Sequence, residues 1–159
     1  MKHVTFYMVR HGETRFNISG RMQGTCDSPL TEKGIADGEA ASIALREIPF
    51  TRAYTSTSER ARDTARLICK RHNVVLHESK GLKEFDFGSL DGEIAADHVD
   101  EIKQRKIDDS FHEIGGESTA MVNQRIDHTF ERILNECRDG DIVLIVSHGM
   151  YILNVLEHL

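Results

Sequence analysis

Two histidines in this sequence stand in the same setting. His11 follows the apolar run of FYMVRHGETRFN, His148 follows that of DIVLIVSHG, and a glycine comes directly after each. Arg10 stands beside the first, and Arg60 falls one turn into a helical pattern that opens at TSTSER. The planar fork of arginine suits bidentate recognition of phosphate. Neutral imidazole can attack, accept or donate near neutral pH, and glycine lets a ligand approach the backbone closely. Two imidazoles and two guanidinium groups converging on one crevice would make an anion site.

For these groups to converge, the elements carrying them must end at one edge. Val4 to Val9 is a continuous β-branched and aromatic run, which predicts a strand buried on both faces, and Asp141 to Val146 repeats the theme. Ala53 to Ser56 and Val74 to His77 read as shorter strands. Between them, Thr31 is placed to cap a helix with Ile35, Ala40, Ile43, Ala44 and Ile48 on its apolar side, ended by Pro49. Ala61, Ala65 and Ile68 share the face of a second helix. A polar helix is expected around Ile94, Val99 and Ile102. The longest helical pattern follows GGES, through Val122, Ile126, Phe130, Ile133 or Leu134, and Cys137, and a final helix starts at Met150. Gly81 to Gly92 has no period and reads as a loop. Strands alternating with helices predict an α/β fold, a three-layer α/β/α sandwich around a mainly parallel sheet. In such sheets ligands bind beyond the carboxyl ends of the strands, where helix N-termini point their amides.

Composition sets outer bounds. A chain of 159 residues, 39% hydrophobic and 29% charged, is sized for a single domain, 1–159, with a sizeable core. A net charge of −6 argues against nucleic acid or an anionic membrane surface as the main partner. With no membrane-length apolar run and no signal-peptide layout at the start, a cytoplasmic location is expected. His3, His72, His77, His98, His112, His128 and His158 lack metal-ligand spacing, and the three cysteines, Cys26, Cys69 and Cys137, form no CxxC pair. Neither a metal nor a cofactor is expected, and the anion site described above is expected to take a small phosphorylated substrate.

RHGETRFN, followed in order by RMQG, DSPLTEKG, TSTSERARDTA, LKEFDFGSLDG, GGES and VSHG, resembles the histidine phosphatase superfamily, in its phosphoglycerate mutase-like branch. The resemblance covers nearly the whole chain. It implies a phosphoglycerate mutase-like fold and makes His11 the nucleophile that accepts the phosphoryl group. Arg10 and Arg60 would neutralise the phosphoryl oxygens, with His148 as a further donor. Both guanidinium groups would also disfavour imidazolium at His11. The family's acid falls in LKEFDFGSLDG and singles out Glu84, first as acid for the leaving alkoxide and then as base for water. Burial against Phe85 or Phe87 and the bound phosphate are expected to outweigh the arginines in setting its pKa once substrate is bound, so that hydrolysis favours mildly acidic to neutral pH.

Asn17, Gln23 and Gly24 match positions lining the phosphate or substrate pocket in that family, and Gly149 follows His148 in the same motif. Glu13 and Thr14 belong to the first motif but suit a backbone-fixing role as well. Thr57, Ser58 and Ser118 read as helix caps, and Arg62 as a surface charge. Where the mutase pattern has arginine after the acid, this chain has Phe85. Lys103, Arg105 and Lys106 alternate with acidic residues, the pattern of a solvated face, while Phe16, Met22, Phe85 and Phe87 suggest an apolar ledge. These features favour a metal-independent phosphomonoesterase over the two alternatives, a cofactor-dependent phosphoglycerate mutase and a non-catalytic phospho-ligand binder. Only eleven residues follow His148 where the family continues into a further edge strand and tail, so the expectation is a compact variant, a truncated chain, or one lacking that last element. A bare edge of that kind invites pairing, and a homodimer is a further expectation.

Overall fold

In the computed structural model, which describes residues 2–159, four parallel strands pair in the order β1-β4-β2-β3. They are β1 (Thr5–Arg10), β2 (Arg52–Ser56), β3 (Leu76–Ser79) and β4 (Ile142–Ser147). Six α-helices accompany them: α1 (Arg15–Ile18), α2 (Glu32–Ala44), α3 (Glu59–Cys69), α4 (Val99–Asp108), α5 (Thr119–Glu136) and α6 (Gly149–His158). Side chains alternate across the strands and so sort into two cores. Phe6, Met8, Tyr54, Val143 and Ile145 meet Val122, Ile126, Phe130 and Ile133 of α5 and Tyr151 and Val155 of α6. On the opposite face Tyr7, Val9, Ala53, Leu144 and Val146 meet Ala61, Ala65 and Ile68 of α3. The result is the three-layer α/β/α arrangement. No helix is long and apolar enough to cross a membrane, among the described residues.

The register explains why both histidines arrive together. β1 and β4 run in step from Thr5↔Ile142 to Arg10↔Ser147, and the His11 N–H then donates to the Ser147 carbonyl at 3.0 Å. The residues after the two strands therefore leave the sheet side by side. β1, however, pairs only with β4 and lies at the sheet edge, so none of its residues is fully buried. The expectation of a strand buried on both faces fails here because apolar density fits a half-covered edge strand as well as a central one. It holds for β4, where Val143 to Ser147 are all buried.

Helix α2 also departs from its expected face. Ile35, Ala40, Ile43 and Ala44 are exposed, and the buried positions are Gly34, Gly38 and Ser42. Backbone approach decides the face. A Cβ at Gly34 would lie 2.1 Å from the Glu13 carbonyl oxygen, and one at Gly12 would lie 2.4 Å from the Gly34 carbonyl oxygen. The loop after β1 thus lies directly on the first turn of α2, capped by Thr31, whose hydroxyl accepts from the Gly34 N–H. The aperiodic stretch from Gly81 to Gly92 is well packed, with Leu82, Phe85, Phe87 and Leu90 all buried and both phenylalanine rings 5.5 Å from that of Phe111.

Two glycine substitutions in α2 should therefore part company. Gly34→Ala meets immovable backbone and is expected to cost about 1–3 kcal/mol of net stability, overpacking outweighing the roughly 1 kcal/mol gained in helix propensity. Gly38→Ala meets only the Cδ1 end of Leu67, at 2.7 Å, and should be neutral or slightly stabilising. Urea midpoints of the two variants check the contrast.

Candidate active site

The strand ends deliver His11 and His148 edge-on, ring centroids 5.2 Å apart, with 8% and 0% of their surfaces exposed. At His11 the Nδ1 lies 2.8 Å from the Gly12 carbonyl oxygen. A carbonyl only accepts, so Nδ1 carries the proton and the free lone pair sits on Nε2. Arg60 donates its Nε–H to that nitrogen at 3.3 Å, in agreement. Burial first, then the charges of Arg60 and Arg10, lower the His11 pKa from 6.5 to about 4, against the opposing Gly12 bond. The guanidinium groups act in the expected direction, but burial is the larger cause. His148 is likewise driven far below its ordinary value, by burial and then by Arg60 and His11. Both rings are neutral at pH 7.

Arg60 is fully buried at the start of α3, and its five N–H groups are committed. Beyond His11 they reach the carbonyls of Gln23 (3.3 Å), Gly24 (3.0 Å) and Cys26 (2.9 Å) and the carboxylate of Asp27 (2.8 Å). Arg60 organises the loop 23–27 and offers the site its charge and the Nε–H. Arg10, at the exposed end of β1, lines the cleft and packs against α6, where a Cβ at Gly149 would lie 3.4 Å from its Nε.

Glu84 is 7% exposed, although glutamate is ordinarily a solvated residue. Its Oε1 accepts from the N–H groups of Phe85 and Tyr151, both at 2.8 Å, and its Oε2 from that of Met150 at 3.1 Å. Burial raises its pKa despite these bonds and Arg60. The carbonyls of Gly81, Lys83 and Glu84 accept from Arg125 of α5, itself paired with Glu117, and the Ser147 hydroxyl donates to the Leu82 carbonyl at 2.7 Å.

Arg10, His11, Asn17, Gln23 and Glu84 line one cleft of about 230 Å³ together with Arg21, Met22, Phe87, Ala95, Ile102 and Lys106. Asn17 doubles as a cap of α1, its Oδ1 accepting from the Thr14 N–H, and Gln23 is anchored by Thr14 and Ser28. Gly24 lies outside the cleft. Its N–H donates to Asp91 at 2.6 Å, and a Cβ would meet the Phe85 carbonyl oxygen at 2.4 Å. Ser118 caps α5 as expected, Ser58 caps α3 without a side-chain bond, and Arg62 faces Glu78 at 3.6 Å. The apolar ledge is narrower than expected: Met22 and Phe87 line the cleft, Phe85 is buried beneath, and Phe16 lies under the Arg21 guanidinium. Nor is the α4 charge run wholly a solvated face. Arg105 pairs with Glu101, but Lys106 reaches the cleft beside Ile102.

Asp91, Arg125 and Ser56 escaped the sequence reading, and Lys106 entered it only as a solvated charge. Their roles come from contacts between distant segments, and only the two aspartates of DSPL and SLDG, each followed by a turn, hinted at loop anchors.

A family model of the histidine phosphatase superfamily (branch 1) matches residues 6–159, and the chain belongs to that superfamily. It is 36% identical over 163 residues to 2,3-bisphosphoglycerate-dependent phosphoglycerate mutase 2 of Gloeobacter violaceus, covering 96% of this chain and 74% of that one. An adenosylcobalamin/alpha-ribazole phosphatase of Salmonella typhimurium is 44% identical over a shorter stretch, 52% of this chain and 41% of its own. Among solved structures, phosphoglycerate mutase from Bacillus anthracis superposes with a TM-score of 0.88 at 31% identity, covering 98% of this chain and 79% of that one. A mycobacterial glucosyl-3-phosphoglycerate phosphatase gives 0.81 at 28%, covering 94% and 76%. These likenesses support an enzyme of phosphatase or mutase type.

The loop that Arg60 holds carries a thiol that can report on it. Burial, then a hydrogen bond to Asp91 and its charge, raises the Cys26 pKa to about 12. At pH 8 its reaction with iodoacetamide should be on the order of a thousandfold slower than that of an ordinary thiol. Asp91→Asn, which removes the charge but not the burial, should recover part of that rate, as peptide mass spectrometry of the alkylated protein would register.

Proposed function

We propose that this protein is a metal-independent phosphomonoesterase working through a phosphohistidine on His11. The observation that carries the reading is the hydrogen bond from His11 Nδ1 to the Gly12 carbonyl, which leaves the Nε2 lone pair on a buried, uncharged ring. In the first step Nε2 attacks phosphorus and the bond from phosphorus to the ester oxygen breaks. The departing oxygen takes the proton of Glu84, whose raised pKa keeps that proton available. In the second step water attacks phosphorus, the Glu84 carboxylate takes its proton, and the P–N bond breaks to restore neutral His11. Arg10 and the Nε–H of Arg60, transferred from His11 Nε2 as that nitrogen bonds to phosphorus, meet the charge on the transferring group.

One observation favours a second reading, phosphoglycerate mutase. Arg21 and Lys106 put two cations on the side of the cleft away from the strand ends, where a second charged group of a bisphosphorylated intermediate would sit. Phe85 in place of arginine after the acid, and an apolar floor of Met22, Phe87, Ala95 and Ile102, favour hydrolysis.

Incubation with a chromogenic phosphate monoester and a chelator, beside His11→Ala, tests the proposal. Chelator-resistant turnover that disappears in His11→Ala is expected, with acid-labile phosphate trapped on His11 by rapid quench. Binding of phosphate without turnover would reduce the protein to a phospho-ligand binder, and interconversion of phosphoglycerates would make it a mutase. Glu84→Gln should slow hydrolysis of an alkyl phosphate by about 10²–10⁴-fold and that of p-nitrophenyl phosphate far less, since nitrophenolate leaves without a proton. In the free enzyme, kcat/KM should rise with pH through about 4 as His11 loses its proton, and fall once Glu84 does. An acid limb near 6.5 instead would show that burial does not control the nucleophile.

A further inference from the structure

His148 presents a problem that the reading above leaves open. Its ring has no exposed surface, yet its Nδ1 has no hydrogen-bond partner among the described residues. A buried polar nitrogen left unpaired is costly, and it marks a place where a ligand completes the bonding. The ring lies 5.2 Å from that of His11, directly beside the proposed nucleophile. What Nδ1 can do there depends on its proton. A neutral imidazole has one N–H, and only the tautomer with hydrogen on Nδ1 can donate to a phosphoryl oxygen.

The other ring nitrogen, Nε2, lies 2.8 Å from the hydroxyl of Ser56, which is also fully buried at the end of β2. The hydroxyl has one hydrogen to give. Its oxygen already accepts from the Ser58 N–H at 3.2 Å, and its alternative acceptor, the Ser58 hydroxyl, is longer at 3.3 Å than His148. An Nε2–H donating to the Ser56 oxygen would leave Nδ1 a bare acceptor facing an anionic ligand, whereas a hydroxyl that gives its hydrogen to the shorter contact makes Nε2 an acceptor with no proton of its own.

We propose that Ser56 is a positioning residue that sets the tautomer of His148: its O–H donates to Nε2, which places the remaining ring proton on Nδ1 and aims it at a phosphoryl oxygen. The chain of bonds runs from the Ser58 backbone amide through the Ser56 hydroxyl to His148. It links the turn that starts α3, and so the segment carrying Arg60, to the second histidine. The inference rests on the phosphoryl-transfer reading for its catalytic meaning, but the tautomer can be read without turnover.

Long-range proton–nitrogen NMR on the whole protein labelled at histidine nitrogen is the test. At pH 7 the wild type should show His148 with a protonated, pyrrole-like Nδ1 and a pyridine-like Nε2, and titration with inorganic phosphate should move the Nδ1 resonance. A proton on Nε2 in the wild type, or an Nδ1 resonance that phosphate leaves in place, overturns the proposal with no variant needed. Ser56→Ala should shift His148 toward the other tautomer or a mixture. It should also lower kcat/KM by about 10- to 100-fold, less than the 10²–10³ typical of deleting a transition-state donor outright. Ser56→Thr, which keeps the hydroxyl, should restore both readouts. If Ser56→Ala retains the Nδ1–H tautomer, the hydroxyl does not set it and the assignment to Ser56 fails. A wild type with the expected tautomer and phosphate response but no turnover would instead overturn the phosphatase reading and leave this one standing.

Discussion

A guanidinium group with no exposed surface is the constraint on which the rest of the site depends. Burying an unpaired charge is prohibitive, and Arg60 is tolerated because each of its N–H groups has an acceptor and Asp27 supplies a counter-charge. Apart from His11 Nε2, those acceptors all belong to the loop 23–27 between α1 and α2, so satisfying the arginine and folding the loop are the same event. Its position beside His11 and within the field of His148 also disfavours protonation of either ring. One buried cation thus orders the loop and reinforces what burial imposes on the imidazoles.

Glu84 shows the opposite balance. Three backbone amides, two of them at the start of α6, and the nearby Arg60 all favour its carboxylate, yet burial outweighs them. A helix N-terminus and a low-dielectric pocket act on the same group in contrary directions. The outcome is a carboxyl held rigidly with its proton retained to higher pH than usual, the state an acid near neutrality requires. Arg125 and Ser147 fix the segment that carries it, from α5 and from β4. Glu84 and the second histidine are therefore braced against the same strand.

Much of this was legible in the chain itself because it is local. Apolar runs ending in His-Gly locate the strand ends, Thr31 and Ser118 cap the helices they precede, and the ordered motifs single out His11, Arg60, Glu84 and His148. What was not legible depends on partners distant in sequence. The buried face of α2 is chosen by backbone contact with Gly12 and Glu13, which overrides the pattern of Ile35 and Ile43. Gly24 matched a pocket motif, but Asp91, 67 residues away, claims its N–H. Lys106 looked like one more charge on a solvated helix until the packing of α4 brought it over the cleft.

The two sides of the cleft consequently rest on different physics. The side at the strand ends is made of buried groups whose hydrogen bonds are shared with the sheet and with Arg60, so altering any of them disturbs fold and chemistry together. The other side is carried largely by α4 and the segment before it, attached through short backbone links: Met22 N–H to the Glu93 carbonyl at 2.8 Å and Ala95 N–H to the Gly20 carbonyl at 2.9 Å. No residue of α4 is fully buried. Exposed positions of that kind change at a cost within about half a kcal/mol, far below the cost of disturbing a buried charge network. On the proposed function, variation in which ester fits would thus be cheapest on the α4 side and phosphoryl chemistry would stay with the buried one, a division that suits a scaffold whose relatives carry the names of both mutases and phosphatases.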